Sequence, residues 1–171
     1  MSKNPSPFVP LLCIDGLELG QSDAILNYLE DREGGPGATS TSLLPANIAQ
    51  RATVRQICAC IGCDTQPVQN LHILQYVAKN FGGDDPKKAW AKHFIEHGMQ
   101  AVERILAKSA GKCCVGDTVT LADAYLVPQV YNCVRWGGDM KLFPIAQRVH
   151  DYLVTLPAFK AADPAAQPDA Q

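Results

Sequence analysis

Residues 8–31 read FVPLLCIDGLELGQSDAILNYLED, and the punctuation inside this stretch decides the fold. Leu11–Ile14 and Leu17–Leu19 are short apolar runs separated by Asp15-Gly16, the dipeptide that a two-residue hairpin turn with positive φ at both central positions selects. A helix comes at once, because Ala24, Ile25, Tyr28 and Leu29 fall on one face. Ser22 is suited to be its N-cap and Asp23 is favourable in its first turn. This hairpin is the only β structure the sequence predicts. A strand that runs directly into a helix N-terminus also presents a hydroxyl and exposed amides to any carboxylate nearby, so Ser22 reads equally as a cap and as part of an anion site. Pro10, just ahead of the first strand, reads either as an ordinary edge-strand start or as a cis proline that turns the backbone of Val9 outward toward an extended ligand.

Outward from the hairpin, residues 33–45 (EGGPGATSTSLLP) have linker composition. Beyond them the pattern is helical almost throughout. Asn47 and Gln50 form a capping box for a helix carrying Val54, Ile57, Cys58 and Ile61. Pro67 opens or kinks a stretch whose Leu71, Leu74, Ala78 and Phe81 share a face, ended by Gly82-Gly83. Asp84-Asp85-Pro86 begins a long helix with Trp90, Phe94, Ala101 and Ile105 inward, closed by Ser109-Ala110-Gly111. Thr120 and Asp123 make a second capping box for a helix reaching about Val134 with a kink at Pro128, stopped by Gly137-Gly138. Pro144–Val154 is the last helix, with Ile145, Val149 and Tyr152 on one side. The tail AADPAAQPDAQ is too polar and proline-rich to pack as a helix.

Composition removes several function classes. In 171 residues, 15 Lys plus Arg face 17 Asp plus Glu, for a formal charge of −2; there is no basic excess with which to neutralise a phosphate backbone, so nucleic acid is not expected as a partner. No apolar run approaches the roughly 18 to 20 residues of a membrane span, and the N-terminus lacks a secretory pattern. A cytoplasmic protein is expected. The seven cysteines lie mostly in apolar stretches and read as reduced, buried thiols. Cys60-Ile61-Gly62-Cys63 is formally C-x-x-C, but it sits at the far end of a helix rather than at the N-terminus that would lower a thiol pKa. His93 and His97 lack the Glu of a zinc hydrolase motif; they read as a solvated pair, and no metal site is expected. Cys113-Cys114 reads as packing.

Five stretches together resemble a known family: NPSPFVPLLCIDGLELGQSDAILNYLED (4–31), QPVQNLHILQYV (66–77), GDTVTLADAYLVPQVYN (116–132) with Arg135 after it, LPAF (156–159) and QPDA (167–170). The first is similar to the second half of the glutathione-binding domain of glutathione transferases. QPVQNL with LADAYLVPQVYN points within them to the zeta class, the maleylacetoacetate isomerases. The resemblance implies a mainly α fold: residues 1–32 as the C-terminal half of a thioredoxin-like domain, 33–45 as linker, and 46–171 as the all-helical transferase domain. It implies glutathione as cofactor, a small dicarboxylic diketo acid as substrate, and a homodimer. Val9, before the structural Pro10, would offer its backbone to the cysteinyl part of glutathione, and Gln21 and Ser22 would hold the γ-glutamyl end. Gln66, Asn70, Leu71 and His72 match glutathione-binding positions that line the cleft from the helical domain, His72 standing where the family commonly has Ser. Arg135 would meet a substrate carboxylate. Thr120 and Asp123 would be structural.

The implied reaction is cis–trans isomerisation of maleylacetoacetate to fumarylacetoacetate, in tyrosine and phenylalanine breakdown. The Ser and Cys motif that stabilises the glutathione thiolate in the family has no counterpart, since the resemblance begins at the equivalent of the third strand. No catalytic residue is therefore assigned, and the 171 residues by themselves are expected to turn over poorly, to bind glutathione weakly and to form a helical bundle with a weakly held N-terminal piece. The competing reading is a catalytically impaired homologue that acts only as a helical interaction or dimerisation module.

Overall fold

The computed structural model describes residue 4 and residues 8–34 and 42–170. The chain divides into two compact units, Met1–Pro45 and Ala46–Gln171. Of the expected linker, residues 35–41 lie outside the described residues. Its N-terminal end is helical, and its C-terminal end, residues 42–45, is irregular chain. The first helix continues through Glu33 to Gly34, and Ser42, Leu43 and Leu44 return to it.

In the first unit, β1 (Leu11–Ile14) and β2 (Leu17–Gly20) pair antiparallel, Leu11 opposite Gly20 and Ile14 opposite Leu17. Asp15 and Gly16 turn the chain with φ of 50° and 77°, the left-handed pair that the Asp-Gly signal requires. Helix α1 (Ser22–Gly34) is tied to that turn by Tyr28, whose hydroxyl donates to Asp15 at 2.6 Å, and by Arg32 at 3.3 Å from the same carboxylate. The buried Glu30 carboxylate accepts from Leu43 N at 2.8 Å and Leu44 N at 3.3 Å and from the Ser42 hydroxyl, which fixes the chain leaving this unit onto α1.

The second unit contains α2 (Ile48–Ala59), α3 (Leu71–Phe81), α4 (Asp84–Ser109), α5 (Leu121–Arg135), α6 (Pro144–Leu153) and α7 (Pro157–Ala162). Asn47 caps α2 by accepting from Ala49 N and Gln50 N. α2 then widens into a π turn, Cys60–Thr65, leading to a 3-10 turn, Pro67–Gln69. Gly82, at φ 100°, ends α3 in the left-handed conformation. The Thr120–Asp123 box opens α5 with both reciprocal bonds made. Two carboxylates of α4 hold the chain beyond α5: Glu103 accepts from Ile145 N and Ala146 N at the start of α6 (2.8 and 2.9 Å), and Glu96 accepts from Asp139 N (3.1 Å).

Several expected faces shift. In α4 the buried row is Ala91, Ile95, Met99, Val102 and Leu106, one position beyond the expected Trp90, Phe94, Ala101 and Ile105, all half-buried. Gly98 on the buried side admits the Thr65 side chain, while Trp90 sits at the margin with its indole N–H donating to Val68 O (2.9 Å) and its ring on Phe94 (4.7 Å between centroids). In α3 the core takes Leu74 and Val77; Leu71 and Phe81, at the two helix ends, are exposed, and Phe81 meets Tyr76 edge-on. In α6 the buried residues are Ala146, Val149 and Leu153 rather than Ile145 and Tyr152. The polar tail is not wholly irregular either: α7 reaches Ala162, and a 3-10 turn comes next at Pro164–Ala166, both exposed.

Candidate functional site

In the first unit the candidate residues gather at the open end of the hairpin. With Leu11 paired to Gly20, the chain entering β1 brings Val9 and Pro10 alongside the Gln21 and Ser22 that leave β2. The Val9-Pro10 bond is cis. Val9 is 92% exposed, and its backbone N–H and C=O bond to nothing among the described residues. A backbone donor and acceptor left open together on one exposed residue are what an incoming strand-like ligand would pair with.

Ser22 is not the N-cap. Gln21, at φ 68°, gives its carbonyl to Ile25 N (3.0 Å) and thus holds the cap position, so Ser22 becomes the first helical residue. The chain turns from strand to helix through Gln21 in the left-handed region, a conformation that L-residues other than Asn and Asp seldom adopt and that concentrates at functional sites. The Ser22 hydroxyl is exposed and unbonded among the described residues. It and the first amides of α1 are available together at the positive end of a 13-residue helix.

In the second unit Gln66, Asn70, Leu71 and His72 form one run across the 3-10 turn into α3. The Gln66 side-chain amide donates to Asn70 Oδ1. Asn70 stands at the cap position of α3 with its carbonyl accepting from Leu74 N (3.0 Å). Leu71 is 68% exposed, and His72 is exposed too. Arg135 ends α5, exposed, with its guanidinium 5.8 Å from the Trp136 ring centroid and without an ion pair among the described residues. A cation so placed is open to an anionic ligand.

The cysteines are less uniform than expected: Cys58, Cys113, Cys114 and Cys133 are buried, Cys60 is half-buried, and Cys13 and Cys63 are exposed. Cys63 lies in the π turn that follows α2, and Cys13 on β1. Burial pushes the Cys113 and Cys133 thiols up to about 11 and raises Cys114 far more, with Asp123 adding to the effect. Burial, with Asp64 nearby, also raises Cys60. These four are protonated at neutral pH and pack rather than react. An alkylating reagent at pH 8 should therefore label Cys13 and Cys63 first, with Cys113, Cys114 and Cys133 labelled only on unfolding; mass mapping of the labelled peptides checks it. His93 and His97 are exposed, and no group of three or more metal-ligating side chains occurs among the described residues. No helix among them is long and apolar enough to cross a membrane.

Two features gave no motif signal. Gln69 and Gln129 meet in the core, and Gly98 lies against Thr65. Gln129 could have been noticed from its place on the stripe Ala122, Leu126, Val130 and Cys133 of α5, where a polar residue at an inward position demands a partner.

Residues 72–161 match the family model described as glutathione S-transferase, C-terminal domain. The maleylacetoacetate isomerase of Dictyostelium discoideum is 43% identical over 168 residues, 98% of this chain and 74% of that protein. Two solved structures are close. A bacterial maleylpyruvate isomerase, described as a zeta-class glutathione S-transferase in its holo form, superposes with a TM-score of 0.91 at 40% identity, covering 99% of this chain and 79% of the other. The maleylacetoacetate isomerase of Anaeromyxobacter dehalogenans with glutathione bound in its active site gives 0.89 at 38% identity, covering 98% and 76%.

Proposed function

Since the chain belongs to the zeta class of the glutathione transferases, the family of the maleylacetoacetate isomerases, we propose that it serves the glutathione-dependent isomerisation of maleylacetoacetate to fumarylacetoacetate in tyrosine and phenylalanine breakdown. The observation that carries the glutathione half is the open end of the hairpin, where the backbone of Val9 and the Ser22 hydroxyl, both without a partner among the described residues, lie together with the left-handed Gln21. Glutathione is an extended peptide with a free γ-glutamyl carboxylate. Val9 N–H and C=O pair with its cysteinyl unit as a short added strand. The Ser22 hydroxyl and the first amides of α1 donate to its α-carboxylate, and Gln21 holds the same end.

In the reaction the glutathione sulfur adds to the conjugated double bond, rotation occurs about the resulting single bond, and elimination restores the double bond in the trans form and releases the thiol. Arg135 pairs with a carboxylate of the diketo acid, and Gln66, Asn70, Leu71 and His72 contribute further contacts to glutathione. A free thiol is mostly protonated at neutral pH, and none of the 171 residues is assigned to its activation, so binding is the test rather than turnover. The reading includes a homodimer in the cytoplasm.

Calorimetric titration of glutathione into this chain and into Ser22→Ala tests it. The variant should bind weaker by about 1 to 3 kcal/mol, the worth of a charge-assisted hydrogen bond. Because Ser22 caps nothing, its stability should stay within about 0.5 kcal/mol of the parent. Equal affinity in the two proteins would remove Ser22 from the carboxylate site.

A further inference from the structure

The two stretches most specific to the class, QPVQNL and LADAYLVPQVYN, lie far apart in sequence and meet at one hydrogen bond. Gln69 Nε2 donates to Gln129 Oε1 at 2.7 Å, across 60 positions. Both side chains are core residues, 6% and 2% exposed. Their other atoms, Gln69 Oε1 and Gln129 Nε2, have no partner among the described residues. Turning both amides over exchanges the roles and still leaves one buried donor and one buried acceptor unmatched.

A couple that makes one bond and leaves two buried polar atoms unmatched is worse for stability than two apolar side chains of similar length. Its effect is local. Gln69 ends the Pro67–Gln69 turn, between Gln66 and Asn70, and the backbone bonds of that turn are long: Gln69 N to Gln66 O is 3.2 Å and Asn70 N to Pro67 O is 3.4 Å, at or past the weak end of the usual range. Val68 O is held from α4 by Trp90, and Gln69 is held from α5 by Gln129. The segment is joined at its ends by backbone bonds, Gln66 N to Ile61 O (2.8 Å) and Leu74 N to Asn70 O (3.0 Å), and its middle is held by side chains from α4 and α5.

We infer that Gln69 and Gln129 are positioning residues for glutathione recognition, fixing the Gln66–Asn70 segment against α5; this rests on the glutathione reading above. The test uses Gln69→Met, Gln129→Met and the double variant. Each single change strands the remaining amide and should lower the melting temperature, whereas the double change should restore it, since no buried amide is left unmatched. Despite that recovery, backbone amides of Gln69 and Asn70 should exchange about tenfold faster in the double variant, with Ile95 and Val102 unchanged, and glutathione should bind several-fold weaker.

Unchanged exchange at Gln69 and Asn70 in the double variant would overturn the inference. Faster exchange with unaltered glutathione affinity would overturn the assignment to glutathione. Absence of glutathione binding by the parent chain itself would overturn the underlying reading, while the exchange measurement still decides whether the couple positions the segment.

Discussion

Asp123→Ala is expected to remove on the order of 3 to 5 kcal/mol of folding stability, because it leaves three buried neutral donors unsatisfied at roughly 1 to 3 kcal/mol each. Asp123 is fully buried. One carboxylate oxygen accepts from Thr120 N at 2.7 Å and from the Thr120 hydroxyl at 2.9 Å, and the other accepts from Cys114 N at 2.8 Å. The loss is therefore larger than a helix cap alone, which is worth roughly 1 kcal/mol: two buried backbone donors and a hydroxyl are orphaned together. Against a typical domain stability of about 5 to 15 kcal/mol, such a loss leaves a substantial unfolded population on mild heating. Asp123→Asn keeps the shape and one acceptor oxygen, so it should fall between the alanine variant and the parent. Urea unfolding monitored by circular dichroism measures both. A loss below about 1 kcal/mol for the alanine variant, no more than an ordinary cap, would mean that Cys114 N and Thr120 find other acceptors. Alkylation of Cys114 should also accelerate in Asp123→Ala, because the loop it sits in is no longer pinned to the start of α5.

This box is legible in the sequence because all its chemistry lies within four residues. The same holds for Asp15-Gly16, whose turn depends on its own φ angles, and for Gly82, whose left-handed cap ends α3. Signals that depend on a distant neighbour are less legible. Trp90 and Phe94 are the largest apolar side chains of α4 and so suggest its core row, yet depth is set by what approaches the helix, as Thr65 does at Gly98. Residue type alone makes Ser22 the cap. The actual cap is Gln21, since the direction in which β2 delivers the chain is a property of the hairpin and not of one side chain. The candidate site divides in the same way: Val9, Pro10, Gln21 and Ser22 form a local constellation, whereas the Gln69–Gln129 couple joins residues 60 positions apart and has no local signature.

Gly98→Ala should be a strongly damaging single-methyl change. A Cβ at position 98 would lie 1.9 Å from Thr65 Oγ1, 2.7 Å from its Cγ2 and 2.8 Å from its Cβ, so every heavy atom of that side chain blocks it. Thr65 cannot step aside: it is 1% exposed, is β-branched, and donates its hydroxyl to Cys60 O at 2.7 Å, the bond that spans the π turn. Alanine improves helix propensity over glycine by roughly 1 kcal/mol, while overpacking costs typically about 1–3 kcal/mol and sometimes more. A closest contact of 1.9 Å, against the ordinary 3.4 Å or more, places this site at or beyond the upper end. The clash therefore wins, and a net loss of about 2 to 3 kcal/mol is expected in urea unfolding. Relief must come from α4 moving off the π turn, which leads directly into Gln66 and Asn70, so glutathione affinity should fall along with stability. Thr65→Ala removes two of the three blocking atoms. If the contact is the cause, Gly98→Ala combined with Thr65→Ala should be more stable than the sum of the single losses by about 1 kcal/mol or more. Strict additivity of the two changes would place the damage elsewhere.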